Sequence, residues 1–225
     1  ELMAVNHKAG IEPVQVSGAV YGLTKIALEK SKEAFGFNAA IGPLVKLWHI
    51  GFSDAKLPTQ AEIDEKLKII NPDRIILRDD EFSIFLPEKG MEIDLGAIAK
   101  GYIADRVRDY LRKAGAELGL INLGGNIQTL GSPEGGWSVG LKKPFAGDEL
   151  IGTMTVENMS VVTSGTYERY FEQNGKRYHH ILNPRTGYPL DNELDSVTVV
   201  SKDSIDGDIW TTLMYGMGVE KGCAA

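Results

Sequence analysis

Glycine interrupts this chain at short intervals, and the interruptions limit the length of any regular element. It contributes 26 of the 225 residues, against a usual frequency of ~7%, and the excess falls in identifiable turns between β-rich and helical runs. No internal repeat, linker or low-complexity tract divides the sequence. The pattern therefore favours a single α+β domain over residues 1–225.

Composition argues against several classes of function. The formal net charge of -7 and the pI near 5.2 argue against binding to nucleic acid, because phosphate contacts draw on clustered Lys and Arg. No apolar run approaches the ~20 residues required to span a bilayer. The single cysteine, Cys223, excludes an internal disulfide. The first ten residues contain neither a signal pattern nor an initiator Met, so we expect a chain cut at its front.

Local patterns predict the main elements. We expect four helices. They lie over residues 17–35, over a short segment that begins at a capping box of Thr59 and Glu62, over residues 97–114, and from Ser204 as N-cap to residue 217. Two hairpins are predicted, one over residues 74–87 and one around Asn174 and Gly175. Further strands are predicted at 92–95, at 118–123 as a buried strand, and at 127–130, 137–141, 152–156, 160–162 and 196–200.

The segment DLGAIAKG, residues 94–101, lies where a helix begins. Glycine allows a backbone to approach a ligand closely, and the first turn of a helix offers free N–H groups to an anion. Lys100, one turn into the helix, could add positive charge next to a phosphate. An ordinary helix start with a solvated lysine explains the same residues. NLGG at 122–125 is similarly ambiguous, because it also fits a simple tight turn.

Asp208 and Thr212 stand four residues apart on a predicted helix and so share one face. A carboxylate and a hydroxyl in this arrangement suit a hard cation such as Mg²⁺, which takes oxygen ligands. The alternative is structural: an aspartate that favours the helix dipole and a threonine packed on the preceding turn.

Two adjacent histidines, His179 and His180, precede a stiff turn over residues 183–189. Neighbouring residues on a strand face opposite ways, so at most one of the two can point into a given cleft. The turn would hold Arg185 and Thr186 rigidly. Arginine suits phosphate recognition and a histidine can move a proton near neutral pH, although a plain β-turn with a surface arginine and a satisfied histidine stays an alternative.

Five segments resemble, in this order and at this spacing, the ApbE family of bacterial FAD:protein FMN transferases: DLGAIAKGYIAD, INLGGNI, VTSGTYERYF, HHILNPRTGYP and GDIWTTLMYGMG. AAIGPLVKLWHIG and the early AVN are similar to it too, so the likeness runs over essentially the whole chain. The resemblance implies an α+β fold in which mixed and antiparallel sheets pack with helices around an FAD-binding cleft.

The resemblance also implies an activity. Such an enzyme transfers FMN from FAD to a threonine or serine hydroxyl of an acceptor protein and releases AMP, with Mg²⁺ as cofactor. It implies an acceptor from a membrane or extracellular redox system and a location outside the cytoplasmic membrane, with any lipid anchor attached before Glu1. Two alternatives stay open: hydrolysis of FAD to FMN and AMP, and FAD binding without turnover.

Site residues follow from the same likeness, position by position. Three oxygen donors are implied as metal ligands: the Ala97 backbone carbonyl, Asp208 and Thr212. His180 matches the active-site histidine, and we expect it to act as the base, with Lys100 and Arg185 assisting from the side of the diphosphate. The implied flavin-site positions are Asn6, Gly42, Pro43, Trp48, Asp94, Lys100, Thr163, Ser164, Gly165, Arg185 and Thr186.

The sequence departs from the family pattern in two respects. Family members usually begin with a further segment, containing a Met-Gly-Thr strand that helps to build the flavin pocket, and they continue beyond the last residue here. A chain that lacks both segments is expected to bind flavin less well or not at all. Asn183 also replaces the usual Asp ahead of Pro-Arg-Thr-Gly, and we expect the turn to form despite the lost charge.

Overall fold

The computed structural model describes residues 1–33 and 35–224, and helices and antiparallel strands mix along it as the α+β prediction requires. Its helices are α1 (Leu2–His7), α2 (Gly18–Ser31), α3 (Gly42–Trp48), α4 (Gln60–Leu67), α5 (Ala99–Lys113) and α6 (Ser204–Gly222), with a 3₁₀ turn at Pro72–Arg74. Its strands are β1 (Val14–Gln15), β2 (Ile76–Arg78), β3 (Ser83–Phe85), β4 (Gly119–Asn122), β5 (Asn126–Leu130), β6 (Trp137–Lys142), β7 (Leu150–Val156), β8 (Ser160–Gly165), β9 (Tyr170–Gln173), β10 (Lys176–His179) and β11 (Ser196–Ser201).

These elements group into two compact units, each built from two separated stretches of chain. Unit 1 comprises Glu1–Leu95 and Arg169–Asn192, and unit 2 comprises Gly96–Glu168 and the chain from Glu193 onward. Compactness alone does not show that a unit folds independently. The single domain expected over residues 1–225 therefore stays a prediction.

Unit 1 contains both predicted hairpins, which are confirmed. β2 pairs antiparallel with β3, which also pairs with β1 to give the order β1-β3-β2. β9 pairs antiparallel with β10, and the turn between them places Asn174 and Gly175 at φ 54° and 75°. Positive φ at both central residues is the requirement of the type I′ turn that the Asn-Gly pair predicts.

The core of unit 1 centres on Trp48, which is 0% exposed. Its ring centroid lies 5.6 Å from that of Tyr178 and 5.6 Å from that of Tyr188. Such aromatic pairs contribute about 0.5–1.5 kcal/mol each beyond the area that they bury. Trp48 thereby joins α3 to β10 and to the turn that follows it. The buried residues of this cluster are Leu44, Trp48, Ile50, Ile63, Ile70, Tyr178 and Leu182.

Unit 2 contains a four-stranded antiparallel sheet in the order β11-β8-β5-β4. Helices α5 and α6 pack against each other and against this sheet. A separate hairpin, β6–β7, packs through Val139 and Val156 on Val161 of β8. Of the helices in the described residues, none has the combined length and apolar character needed to span a bilayer.

The strand predicted at residues 92–95 is wrong, because this segment forms no ladder. The side-chain amide of Asn6 takes the place of a neighbouring strand: its oxygen accepts from the Ile93 N–H at 2.8 Å, and its nitrogen donates to the Ile93 carbonyl at 3.0 Å. The Asp94 N–H donates to the Ala39 carbonyl at 2.9 Å. The backbone is thus satisfied locally, as burial requires.

Several element boundaries differ from prediction, three of them at α2 and α6. Helix α2 ends at Ser31, whose hydroxyl donates to the Ala27 carbonyl at 2.7 Å, and residue 34 of the predicted longer helix lies outside the described residues. Asp203, rather than Ser204, is the N-cap of α6, and Gly218 with φ 75° and ψ 178° interrupts that helix just after its predicted end.

Strand β4 is half exposed rather than buried as predicted. It occupies the edge of the four-stranded sheet, where only β5 pairs with it in the described residues. An apolar run such as LGLI is compatible with either position, so the sequence does not distinguish them.

Candidate active site

Asp208 is the buried centre of the candidate metal group in unit 2. It lies on α6 and is 5% exposed. The backbone N–H of Gly101 donates to its Oδ2 at 2.6 Å, and the side-chain amide of Asn126 donates to its Oδ1 at 2.9 Å. Each carboxylate oxygen can accept more than one bond, so both retain capacity for a metal ion.

Burial raises the pKa of the Asp208 carboxyl above its ordinary value. The hydrogen bonds from Gly101 and Asn126 and the charge of Lys100 act in the opposite direction, without offsetting burial. The charged form therefore lacks full compensation from the protein, and a cation against the carboxylate would supply it. Perturbed carboxyl groups of this kind are enriched at functional sites.

Thr212 and Ala97 complete the predicted ligand set. The Thr212 hydroxyl donates to the Asp208 backbone carbonyl at 3.2 Å, which leaves its oxygen lone pairs available to a cation. Ala97 is exposed in the turn before α5, four residues ahead of Gly101. In the described part of the chain no three His, Cys, Asp or Glu side chains gather to hold a metal. A carboxylate, a hydroxyl and a carbonyl nevertheless fit Mg²⁺, which takes hard oxygen donors and keeps several waters.

Lys100 connects the start of α5 to the predicted glycine turn, which is confirmed. Its Nζ donates to the Gly124 carbonyl at 2.9 Å, and Gly124 and Gly125 adopt φ 69° and 72°. The Lys100 side chain is exposed. Its ammonium group is therefore accessible to an anion near the candidate metal group.

Of the predicted flavin-site residues on β8, Ser164 connects to the candidate metal group through hydroxyls. The Thr163 hydroxyl lies 2.9 Å from a threonine hydroxyl on β11. Ser164 donates to the Thr211 hydroxyl at 2.9 Å, and Thr211 donates to the Asp208 carbonyl at 3.0 Å. A Cβ added at Gly165 would lie 2.5 Å from a ring carbon of a nearby tyrosine. Hydrogen bonds in unit 2 thus connect Ser164, Asp208 and Thr212, and Lys100 lies close enough for its charge to act on Asp208.

Unit 1 holds the turn over residues 183–187, which forms with asparagine at its first position as expected. The Asn183 side-chain oxygen accepts from the Arg185 N–H at 2.9 Å, and the Gly187 N–H donates to the Asn183 carbonyl at 2.8 Å. The side chains of Arg185 and Thr186 are exposed. Arg185 also borders a cavity of about 250 Å³ lined by Phe37, Asn38, Leu67, Pro72 and Pro184 among others.

Gly42, Pro43 and Trp48 are buried in unit 1 and shape its backbone. The indole N–H of Trp48 donates to the Gly187 carbonyl at 2.7 Å. A Cβ added at Gly42 would lie 2.7 Å from the Glu92 Cβ. Trp48 therefore supports the turn that carries Arg185, glycine at residue 42 allows the backbone to approach Glu92 closely, and Asn6 supports the backbone beside Asp94. Asp94 itself is half buried.

The two histidines differ in their surroundings. His179 is 8% exposed, with Nε2 2.8 Å from the Leu190 carbonyl and Nδ1 accepting from the Ile181 N–H at 3.3 Å. His180 is half buried, and its Nδ1 lies 3.2 Å from the Arg169 carbonyl. A carbonyl can only accept, so the His180 Nδ1 carries the hydrogen and Nε2 of the neutral ring is the basic nitrogen.

His179 is expected to make stability depend on pH. Burial lowers the pKa of His179, while its bond to the Leu190 carbonyl and the charge of Asp191 act the other way. The unfolded chain then binds the proton more readily, so this stabilisation is complete above the unfolded pKa of about 6.5 and is lost as the pH falls below it. We expect a slope of up to about 1.4 kcal/mol per pH unit there, from urea denaturation at a series of pH values.

Two histidine variants isolate that slope. His179→Gln should reduce it, because the titrating ring is removed. His7→Gln changes an exposed histidine of unit 1 and should retain it. A slope that is equal in all three proteins would show that His179 does not cause it.

Two groups that hold Asp208 have no role assigned from the sequence alone. Asn126 lies within the INLGGNI segment. The feature that could have indicated its role is a polar side chain on a buried strand. Gly101 contributes only its backbone. A Cβ added there would lie 2.3 Å from the Ser204 carbonyl oxygen, so glycine lets α5 approach α6 closely enough for this N–H to reach Asp208.

The fold mixes helices with antiparallel strands, and oxygen donors lie at the start of α5 and on α6. These features fit the class of protein to which the chain belongs, the ApbE family, whose family model matches residues 1–225. It is similar to particular proteins named FAD:protein FMN transferase. One from Klebsiella pneumoniae is 61% identical over 227 residues, which cover 100% of this chain and 71% of that protein. Another, from Treponema pallidum, is 38% identical over 240 residues, covering 99% of this chain and 66% of that protein.

Solved structures give the same result for the fold. A crystal structure of the ApbE protein from Thermotoga maritima has a TM-score of 0.87 and 33% identity, and the match covers 96% of this chain and 71% of that one. The flavin transferase ApbE from Vibrio cholerae has a TM-score of 0.85 and 29% identity, covering 99% of this chain and 72% of that one. The predicted ApbE-like α+β fold is therefore confirmed.

Proposed function

We propose that this chain is a Mg²⁺-dependent FAD:protein FMN transferase, which moves FMN from FAD to a threonine or serine hydroxyl of an acceptor protein and releases AMP. Its membership of the ApbE family and its 61% identity to a protein named for this activity support the assignment. The observation that carries the metal dependence is the buried Asp208 carboxylate, held by two neutral donors and aligned with Thr212 on α6.

The reaction requires charge neutralisation more than covalent help from the protein. Mg²⁺ on Asp208, Thr212 and the Ala97 carbonyl would supply Lewis-acid stabilisation of the diphosphate oxygens. Lys100 adds a positive charge in unit 2, and the planar fork of Arg185 suits a phosphate through two simultaneous hydrogen bonds. Asp208 also orients the first turns of α5, through the Gly101 N–H.

Transfer forms one phosphorus–oxygen bond and breaks another. The acceptor hydroxyl oxygen bonds to the phosphorus of the FMN moiety, the bridging oxygen leaves with AMP, and the hydroxyl proton must be accepted. We assign the proton to Nε2 of His180, because the Arg169 carbonyl holds the ring by its other nitrogen.

One assay tests the proposed reaction. The protein is incubated with FAD, Mg²⁺ and an acceptor protein that contains a target threonine, and AMP release and flavin fluorescence on the denatured acceptor are followed. AMP together with a labelled acceptor is the expected result. AMP without label would instead indicate FAD hydrolysis, and FAD binding with neither product would indicate a flavin-binding protein.

His180→Ala is expected to lower the transfer rate by about 10²–10⁴-fold, the usual contribution of a general base. FAD affinity, measured by fluorescence titration, should change little. His7→Ala, which removes an exposed histidine elsewhere in unit 1, is the control and should leave both quantities near those of the unaltered protein. If the His180→Ala rate stays within about threefold of the unaltered rate, the activation free energy has changed only by an amount on the order of RT, and His180 has no part in the mechanism.

The acceptor and the location follow from the same proposal. The family resemblance supports an acceptor protein of a membrane or extracellular redox system, and an extracytoplasmic location with a lipid anchor ahead of Glu1. Fractionation of cells that express the gene product tests the location, since recovery in the cytoplasmic fraction would contradict it.

A further inference from the structure

Asn126 uses both ends of its amide in one buried chain of hydrogen bonds in unit 2. It lies on β5 and is 0% exposed. Its nitrogen donates to Oδ1 of Asp208 at 2.9 Å, and its oxygen accepts from the Ser204 hydroxyl at 2.7 Å. The reverse orientation would place the amide oxygen against the carboxylate and is repulsive, so the orientation of the amide is determined.

Ser204 is itself anchored at the start of α6. Its backbone N–H donates to Oδ1 of Asp105 at 2.8 Å, and the next N–H, that of Ile205, donates to Oδ2 at 3.0 Å. Arg108 lies 3.0 Å from Oδ1 of Asp105 and fixes that carboxylate in turn. The Ser204 hydroxyl therefore reaches Asn126 from a rigid position.

We propose that Asn126 is a positioning residue that fixes the orientation of the Asp208 carboxylate for binding a divalent cation. This inference rests on the proposed function, because it takes Asp208 as a metal ligand. Gly101 holds one carboxylate oxygen and Asn126 holds the other. Two donors on two different oxygens stop rotation about the bond to the carboxylate, so the remaining lone pairs have fixed directions.

The chemistry of the amide suits this role. A carboxamide satisfies a buried carboxylate oxygen without adding positive charge, so the negative charge of Asp208 stays available to a cation. Lysine or arginine at residue 126 would neutralise Asp208 and compete with the metal. Partners that orient metal ligands in this way typically affect metal affinity by about 10–100-fold when they are removed.

Mn²⁺ binding to the flavin-free chain tests the proposal without relying on catalysis. Calorimetric titrations compare the unaltered protein with Asn126→Ala, and thermal unfolding reports any loss of stability separately. Gln128→Ala is the matched control. Gln128 lies two residues further along β5 on the same face, is also 0% exposed, and donates its amide to the Thr129 carbonyl at 3.0 Å instead of to Asp208.

We expect Asn126→Ala to weaken Mn²⁺ binding by about 10–100-fold and to raise the Mg²⁺ concentration for half-maximal AMP release by a similar factor. Gln128→Ala should leave Mn²⁺ affinity within about threefold, whatever it does to stability. Equal Mn²⁺ affinity in folded Asn126→Ala and in the unaltered protein would overturn the positioning role alone. Failure of the unaltered protein to bind Mn²⁺ would overturn the metal site in the proposed function and this role with it.

Ser204→Ala provides a second test if Asn126→Ala does not fold. It removes only the hydroxyl that orients the amide, so we expect a smaller, several-fold loss of Mn²⁺ affinity. A folded Ser204→Ala protein with unaltered Mn²⁺ affinity would then count against the proposal.

Discussion

Asp208→Asn is expected to lower FMN transfer by at least about 100-fold, because Lewis-acid stabilisation by a bound metal is worth several kcal/mol and each 1.4 kcal/mol is a factor of ten. The substitution keeps the shape of the side chain and removes the charge that attracts Mg²⁺. It also leaves one acceptor oxygen for two donors, Gly101 and Asn126. The measurement is AMP release over a range of Mg²⁺ concentrations, together with calorimetric Mn²⁺ binding.

A second ligand variant separates metal binding from folding. Thr212→Val preserves shape and removes a hydroxyl at a half-buried position, and it should lower Mn²⁺ affinity with little change in thermal stability. Thr24→Val is the matched control, because the Thr24 hydroxyl also donates to the carbonyl four residues earlier, at 2.8 Å.

The Asp208→Asn prediction has its own contradicting outcome. If Asp208→Asn keeps its Mg²⁺ dependence and transfers FMN within about tenfold of the unaltered rate, Asp208 is not a metal ligand.

Gly187→Ala is expected to destabilise unit 1 by about 3 kcal/mol or more. Gly187 has φ +74°, where a non-glycine residue costs about 1–3 kcal/mol. An added Cβ would also lie 2.3 Å from Cγ2 of Ile63, and overpacking a core typically costs about 1–3 kcal/mol. The Gly187 carbonyl accepts from the Trp48 indole, so any shift of the turn disturbs the aromatic core. Urea denaturation measures the change.

Gly175→Ala separates backbone strain from the steric clash. Gly175 has nearly the same φ, +75°, but an added Cβ there has nothing within 4 Å. We expect this variant to lose only about 1–2 kcal/mol, the cost of the left-handed conformation alone. Equal losses in the two variants would show that the contact with Ile63 is not the cause.

The sequence predicts best where a local rule is sufficient. Asn174 and Gly175 determine a hairpin turn because positive φ is required at both residues, and the capping box of Thr59 and Glu62 forms as predicted. Local rules fail where a distant group completes the structure. Residues 92–95 have the composition of a strand, but a side chain from α1 satisfies the backbone of Ile93.

The candidate site shows the same division. Spacing along one helix predicts that Asp208 and Thr212 share a face, and the Thr212 hydroxyl does reach the Asp208 carbonyl. No spacing rule connects Asp208 to Asn126, which is 82 residues away in the sequence. Nor does the sequence indicate that Trp48, an aromatic residue suited to stacking on a ligand, is fully buried in a core.

The discontinuous construction of unit 1 affects how the chain is made in the cell. Trp48 and Leu44 leave the ribosome early, but Tyr178 and Leu182, which complete their core cluster, are translated only after most of unit 2. At about 5–20 residues per second, the early half of this core waits about 5–30 seconds for its partners. During that interval its apolar surface is a target for chaperones and for aggregation with other nascent chains.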